Sequence, residues 1–476
     1  MLVLRSTVAI VAVALLSFGA IVDARPLKRD TDPAPQYRID TTQLPGLDSG
    51  LTALPQWSGN MPVGNDNTLF FWYTQAADPT NNNLIFWHNG GPGCSSMEGL
   101  FEENGPYHTE DGGETWTMNP NSWHNYGHVV YIDQPFGTGF STDTTSVPNE
   151  DFIGDTMVQF YINFFAAFPG MQSKNMYITG ESYAGRYVPY MAKHVLAYNA
   201  QNPNSIIPLK AVAIGNAYID TAPNNNYVDL LPYLQAHPWI YGNSKSWMTS
   251  AESIVSQMKT TSGCATAQSD TTVSSSCRRL MNKFYNSQPE PVDYPLPDSC
   301  TNYGYPIYYD PYNIGITDCN VAMIDLLLAQ APWEYYLNLP QVQEQIHISG
   351  SVSYSDCANV NGGIYTADPS VVPKYFIGNL VDQGLNVTLY SGLLDTVVPH
   401  TLTEAAISQM TWGGKSGFAS SSMTPIYTGS SSTQSGSYHS ERGLSYVTIA
   451  NAGHMVPRDD PLTAEWIISQ LVSGTI

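Results

Sequence analysis

The chain has 476 residues and a net charge of −22, yet only 12% of its residues are charged, about half of the usual ~25%. That length supports one large core with an insertion, or two modest domains, and a 12% aromatic content with 31 tyrosines excludes a disordered chain. The acidic balance argues against nucleic acid and anionic membrane surfaces as partners, and sparse carboxylates lose little stability in an acidic milieu.

In chain order, Arg5, the apolar run 8–18 and the small-residue site Val22-Asp23-Ala24 read as a secretory signal peptide over residues 1–24. The run is too short to span a membrane, and no second apolar run of about 18 residues follows. Residues 25–50 are expected to be a propeptide or N-terminal extension. There, Lys28-Arg29 reads as a dibasic processing site or as an ordinary charged start of the mature chain. Short apolar runs at 69–73, 84–87, 128–132, 176–179, 211–214, 387–390 and 446–449 predict buried strands. Between them, apolar spacings of three and four predict amphipathic helices over 151–168 and 187–199. Strands alternating with helices imply an α/β fold with a mostly parallel sheet covered on both faces.

From 217 to 331 the texture changes to Ser/Thr-rich and Pro/Tyr-rich stretches. The reading is an insertion stapled by disulfides over the cleft, between core segments 51–216 and 332–476. The six cysteines, Cys94, Cys264, Cys277, Cys300, Cys319 and Cys357, predict bridges in a secreted chain, with several pairings open. Residues 415–440 are Ser/Gly-rich and read as a surface loop. One glycosylation sequon occurs, at Asn386.

The most informative segment is Gly180-Glu181-Ser182-Tyr183-Ala184-Gly185, which follows a strand and precedes a helix. G-x-S-x-G at such a junction marks a nucleophile elbow; here alanine replaces the last glycine, and it is still small. A serine nucleophile needs a base, and the base an orienting acid. In α/β-hydrolases these follow in the order Ser, Asp, His, each just past a strand. Asp395 and His454 meet that order and those positions, whereas His347, His400 and His439 do not follow a strand with a glycine just before them. The loop Trp87-His88-Asn89-Gly90-Gly91-Pro92-Gly93 also follows a strand. It is placed to supply one oxyanion amide, Gly91, with Tyr183 supplying the other. Nothing in this constellation calls for a metal or cofactor.

The segments W-H-N-G-G-P-G-C-S-S, D-Q-P-F-G-T-G-F-S, G-E-S-Y-A-G and G-H-M-V-P resemble those of the secreted and vacuolar serine carboxypeptidases. The resemblance runs from about Ala53 to the C-terminus. It implies the α/β-hydrolase fold, removal of single residues from peptide C-termini, and Ser182, Asp395 and His454 as a catalytic triad. It also implies that Asn89, Gly90, Glu103 and Glu181, supported by Trp87, hold the substrate's terminal carboxylate, with Glu102 the adjacent alternative to Glu103. Two nearby carboxyls cannot both ionise cheaply, so one stays protonated and can donate to a carboxylate. An acidic optimum is therefore expected, with KM rising above roughly pH 6–7.

By the same resemblance Cys94 pairs with Cys357, and within the insertion Cys264–Cys277 and Cys300–Cys319 are favoured. Met455, after His454, points to an apolar pocket for the leaving residue. Glu98 reads more readily as a solvated surface acid than as a group for a cationic leaving residue. The expected partners are peptides and proteins with a free C-terminus, met along the secretory route, outside the cell or in a vacuole. An esterase, an acyltransferase sharing the acyl-enzyme, or a non-catalytic binding protein on this scaffold are the alternatives.

Overall fold

The computed structural model describes residues 34–476 apart from 143–145, 221–222, 237–243, 265–271, 287–330, 351, 358–369, 396 and 431. Its frame is a ten-stranded sheet. The strands are β1 (Gln56–Gly64), β2 (Asn67–Thr74), β3 (Asn83–His88), β4 (His128–Ile132), β5 (Asn175–Glu181), β6 (Leu209–Gly215), β7 (Asn386–Gly392), β8 (Thr424–Ile426), β9 (Gly436–Glu441) and β10 (Leu444–Ile449). They lie in the order β1-β2-β4-β3-β5-β6-β7-β10-β9-β8. Neighbours from β4 to β10 pair in parallel, and the pairs at both edges are antiparallel.

The parallel strands are buried on both faces, so alternate side chains feed two cores. Leu84, Phe86, Met176 and Ile178 enter one; Ile85, Trp87 and Tyr177 enter the other. The first core is closed by α1 (Glu150–Ala167) and α2 (Ala184–Gln201). Asn149 caps α1 by accepting from Phe152 N at 2.9 Å, and Ile153, Met157, Phe160, Tyr161 and Phe164 form its buried stripe.

Two elements depart from the sequence reading. Residues 415–440 are not simply a surface loop, because they contain β8 and most of β9, which extend the sheet beyond β10. Thr424, Pro425, Ser437 and His439 carry no apolar alternation; backbone pairing to a formed neighbour makes these outer strands. For the same reason β1, broken in pattern by Gly59 and Pro62, left no apolar run.

Among the described residues of the insertion, α3 (Pro223–Ala236), α4 (Lys245–Thr260) and α5 (Ser275–Asn286) share a small core of Trp247, Ile254, Val255, Met258 and Phe284. The Cys264–Cys277 bridge is part of it. Helix α3 packs on α6 (His400–Gln409), with Tyr233 and His400 ring centroids 5.7 Å apart. Cys300 and Cys319, the signal segment and Lys28-Arg29 lie outside the described residues. Residues 34–50 pack onto the sheet: Ala34, Ile39 and Leu44 are buried, and Ile39 N donates to Gln56 O at 3.0 Å. Asn386 is exposed at the start of β7. No helix among the described residues is long and apolar enough to cross a membrane.

Candidate active site

Ser182 sits between the end of β5 and the start of α2 with φ +60°, a backbone state that non-glycine residues seldom adopt. The turn is held from three sides. Ser182 N donates to Gly215 O, and Ser182 O accepts from Gly185 N and Tyr218 N, each at 2.9 Å. The parallel register that pairs His88 with Gly180 carries Asn89 and Gly90 alongside Glu181 and Ser182. A Cβ on Gly90 would lie 2.6 Å from Tyr183 N and 2.7 Å from Ser182 Cβ. Only glycine lets this loop lie directly over the elbow.

Asp395 and His454 follow β7 and β10, so with Ser182 all three stand at the carboxyl edge of the sheet, where open α/β sheets bind ligands. His454 Nδ1 lies 2.8 Å from Asp395 Oδ2. Asp395 is fully buried. Its carboxylate also accepts from Val397 N at 2.7 Å, Val398 N at 3.2 Å and Asn216 Nδ2 at 2.6 Å. The rival histidines are engaged elsewhere: His439 is bonded to Ser422 O at 2.7 Å, and His400 sits edge-on to Tyr233. His347 ends the turn after the helix Pro340–Gln345.

Beside the elbow lies a carboxyl cluster. Asn89 Oδ1 accepts from Trp87 Nε1 at 2.6 Å and Gly99 N at 3.2 Å, which turns its Nδ2 toward the acids. Asn89 Nδ2 donates to Glu103 at 3.0 Å, Glu98 at 3.1 Å and Glu181 at 3.4 Å. One amide has two hydrogens for these three carboxyls, so it cannot serve all three at once. Burial, then the charges of Glu103 and Glu98, push Glu181 well above the ordinary carboxylate range. Burial, then Asp356 and Glu103, push Glu98 well up too. Burial raises Glu103, opposed by its hydrogen bonds with Glu181 and Asn89; the protonated Glu181 donates and Glu103 accepts.

Glu98 is thus not a solvated surface acid but the third member of this cluster. Its position in sequence carries no sign of that, because its partners Asn89 and Glu181 arrive from two other strand ends. Glu102 points away, toward Arg458 at 4.0 Å. Met455 is buried next to His454. The Cys94–Cys357 bridge, with Ser95 N donating to Asp356 O at 2.9 Å, ties the glycine loop to the segment around residue 356.

A second buried acid braces that loop. Asp133 accepts from Ser95 Oγ at 2.5 Å, Ser96 N at 3.1 Å and Phe140 N at 3.1 Å, while Ser96 Oγ in turn accepts from Asn89 N at 3.2 Å. Asp133→Asn would aim an amide N–H at one of these N–H donors. The expected loss is about 1–3 kcal/mol of stability, read from denaturant unfolding above about pH 7, where Asp133 is ionised. Burial raises Asp133 to about 7 and, with Glu334 and Glu102, raises Asp356 to about 7. The folded chain therefore keeps protons that the unfolded chain releases above about pH 4. That stability is complete below about pH 4 and is lost as pH rises to about 7. Tm is expected to fall across this window and to fall less steeply in Asp133→Asn; an equal fall in both would exclude Asp133 as a source.

Three comparisons with known proteins bear on this site. The family model for serine carboxypeptidase matches residues 45–474. The chain is 32% identical over 447 residues to the pheromone-processing carboxypeptidase kex1 of Aspergillus niger, covering 91% of this chain and 69% of that one. It is 30% identical over 469 residues to the pheromone-processing carboxypeptidase KEX1 of Debaryomyces hansenii, covering 95% of this chain and 66% of that one. The chain thus spans about two thirds of the length of these curated relatives. Among solved structures, Kex1(delta)p, a prohormone-processing carboxypeptidase from Saccharomyces cerevisiae, shares the fold with a TM-score of 0.77 at 24% identity. That match covers 93% of this chain and 96% of the other.

Proposed function

Because the chain belongs to the serine carboxypeptidase family, we propose that it releases single C-terminal residues from peptides and proteins at acidic pH through an acyl-enzyme formed on Ser182. Ser182 Oγ attacks the carbonyl carbon of the last peptide bond while His454 takes its proton. The amides of Gly91 and Tyr183 receive the oxyanion. His454 then gives the proton to the departing amine, and the C–N bond breaks. Water attacks the ester, again through His454, freeing the shortened peptide and restoring Ser182. Asp395 orients His454 throughout.

The observation that carries this reading is the convergence of Glu98, Glu103 and Glu181 on the Asn89 amide next to the elbow. An esterase has no need of it; an enzyme that must recognise a terminal carboxylate beside its nucleophile does. Glu98 is read as a third carboxyl of the clamp, and Met455 as part of the pocket for the leaving side chain. Residues 217–331 are read as a cap over the cleft, and the route as secretory, outside the cell or to a vacuole. The test compares an N-blocked dipeptide bearing a free C-terminal carboxylate with its C-terminal amide at pH 4–5. Release of the last residue from the free acid, at least about tenfold faster than from the amide, is expected. Equal rates would remove the clamp from the reading.

A further inference from the structure

We propose that Asn216 is a positioning residue that holds the Asp395–His454 pair in its working arrangement; this rests on the function proposed above. Asn216 directly follows β6 and is fully buried. Its φ is +45° and its N donates to Tyr390 O at 2.7 Å. Asparagine and aspartate tolerate this left-handed state better than other non-glycine residues.

Every polar atom of the side chain is engaged. One Nδ2 hydrogen points to Asp395 Oδ2 at 2.6 Å and the other to Gly453 O at 3.3 Å, while Oδ1 faces Gly392 N at 3.4 Å. Gly453 immediately precedes His454, and Gly392 closes β7 just before the turn that carries Asp395. One amide therefore links the ends of three strands, β6, β7 and β10. It shares Asp395 Oδ2 with His454 Nδ1, and so sets the rotation of the carboxylate that faces the imidazole. A carboxylate so fixed selects the Nδ1–H tautomer and leaves Nε2 for the serine proton. Asn216 acts through Asp395.

The titratable groups around this amide are Asp395 and His454, with Asp459 behind them accepting from Gly453 N at 2.7 Å. The Tyr390 phenol, packed against Gly215, is pushed up by burial and stays neutral. Two variants test the proposal. Asn216→Ala is expected to lower kcat for a blocked dipeptide by about tenfold to a hundredfold, as for other partners that orient a catalytic ligand, with KM within about twofold. Asn216→Asp supplies a carboxyl that, while protonated, donates to Asp395 as the amide does, and on ionising repels it. Its kcat relative to the parent is expected to be near one at pH 4 and to fall at least about tenfold by pH 7.

A purely structural role for Asn216 gives a ratio that does not vary with pH. Such a flat ratio, or an Asn216→Ala variant with parental kcat, overturns the proposal. Should the alanine variant fail to fold, the isosteric aspartate variant carries the test alone. Ser182→Ala is run alongside. If it is inactive while both Asn216 variants behave as the parent, this inference alone fails; if it stays active, the proposed function fails.

Discussion

Replacing Ser182 by alanine is expected to lower kcat for a blocked dipeptide by about 10⁴- to 10⁶-fold, and His454→Ala by a similar factor. The substitution deletes one oxygen and little else. The elbow is held by main-chain bonds from Ser182 to Gly215, Gly185 and Tyr218, which alanine keeps, and alanine meets φ +60° at a cost close to that of serine. Thermal unfolding of Ser182→Ala is therefore expected to match the parent, which separates lost chemistry from lost fold. The double variant is expected to be no worse than either single one, because nucleophile and base act as a unit. Residue release that persists in Ser182→Ala would refute the acyl-enzyme.

The second large effect is on KM. For a substrate with a free C-terminal carboxylate, KM is expected to rise about tenfold per pH unit once the clamp loses its shared proton, roughly a hundredfold over two units. Glu181 and Glu98 are both raised well above the ordinary range, first by burial and then by like charge. Affinity is complete while the cluster is protonated and is lost as pH rises through those raised values; the clamp then presents carboxylates to a carboxylate. An ester substrate lacking the terminal carboxylate is expected to show no such rise. Glu181→Gln keeps a donor at every pH, so its KM profile is expected to flatten at neutral pH. Initial rates between pH 4 and 8 on both substrates decide the matter: parallel KM profiles would exclude proton-dependent recognition.

Much of this was legible residue by residue. The parallel strands β3, β5, β6 and β7 are buried on both faces, so they appear in sequence as continuous apolar runs. The outer antiparallel strands β1, β8 and β9 take their form from a neighbour's backbone, and their mixed side chains leave no such trace. Ser182, Asp395 and His454 could be read because a turn after a strand is a local feature and their order along the chain is informative. Asn216 also follows a strand at the carboxyl edge, yet nothing local tells a buried brace from an ordinary turn asparagine.

Glu98 shows where reading the chain stops. Its environment comes from Asn89, Glu103, Glu181 and Asp356; Glu103 ends the short helical turn that follows Glu98, but Glu181 and Asp356 come from distant parts of the chain. The residue types and their order along the chain were enough to single out Ser182, Asp395, His454 and a pair of acids as candidates. That Glu98 joins Glu103 and Glu181 around Asn89, and that Asn216 braces Asp395, was decided only by the tertiary structure. Protonation depends on burial and on separations of a few ångströms between groups far apart in the chain, and folding alone sets those separations.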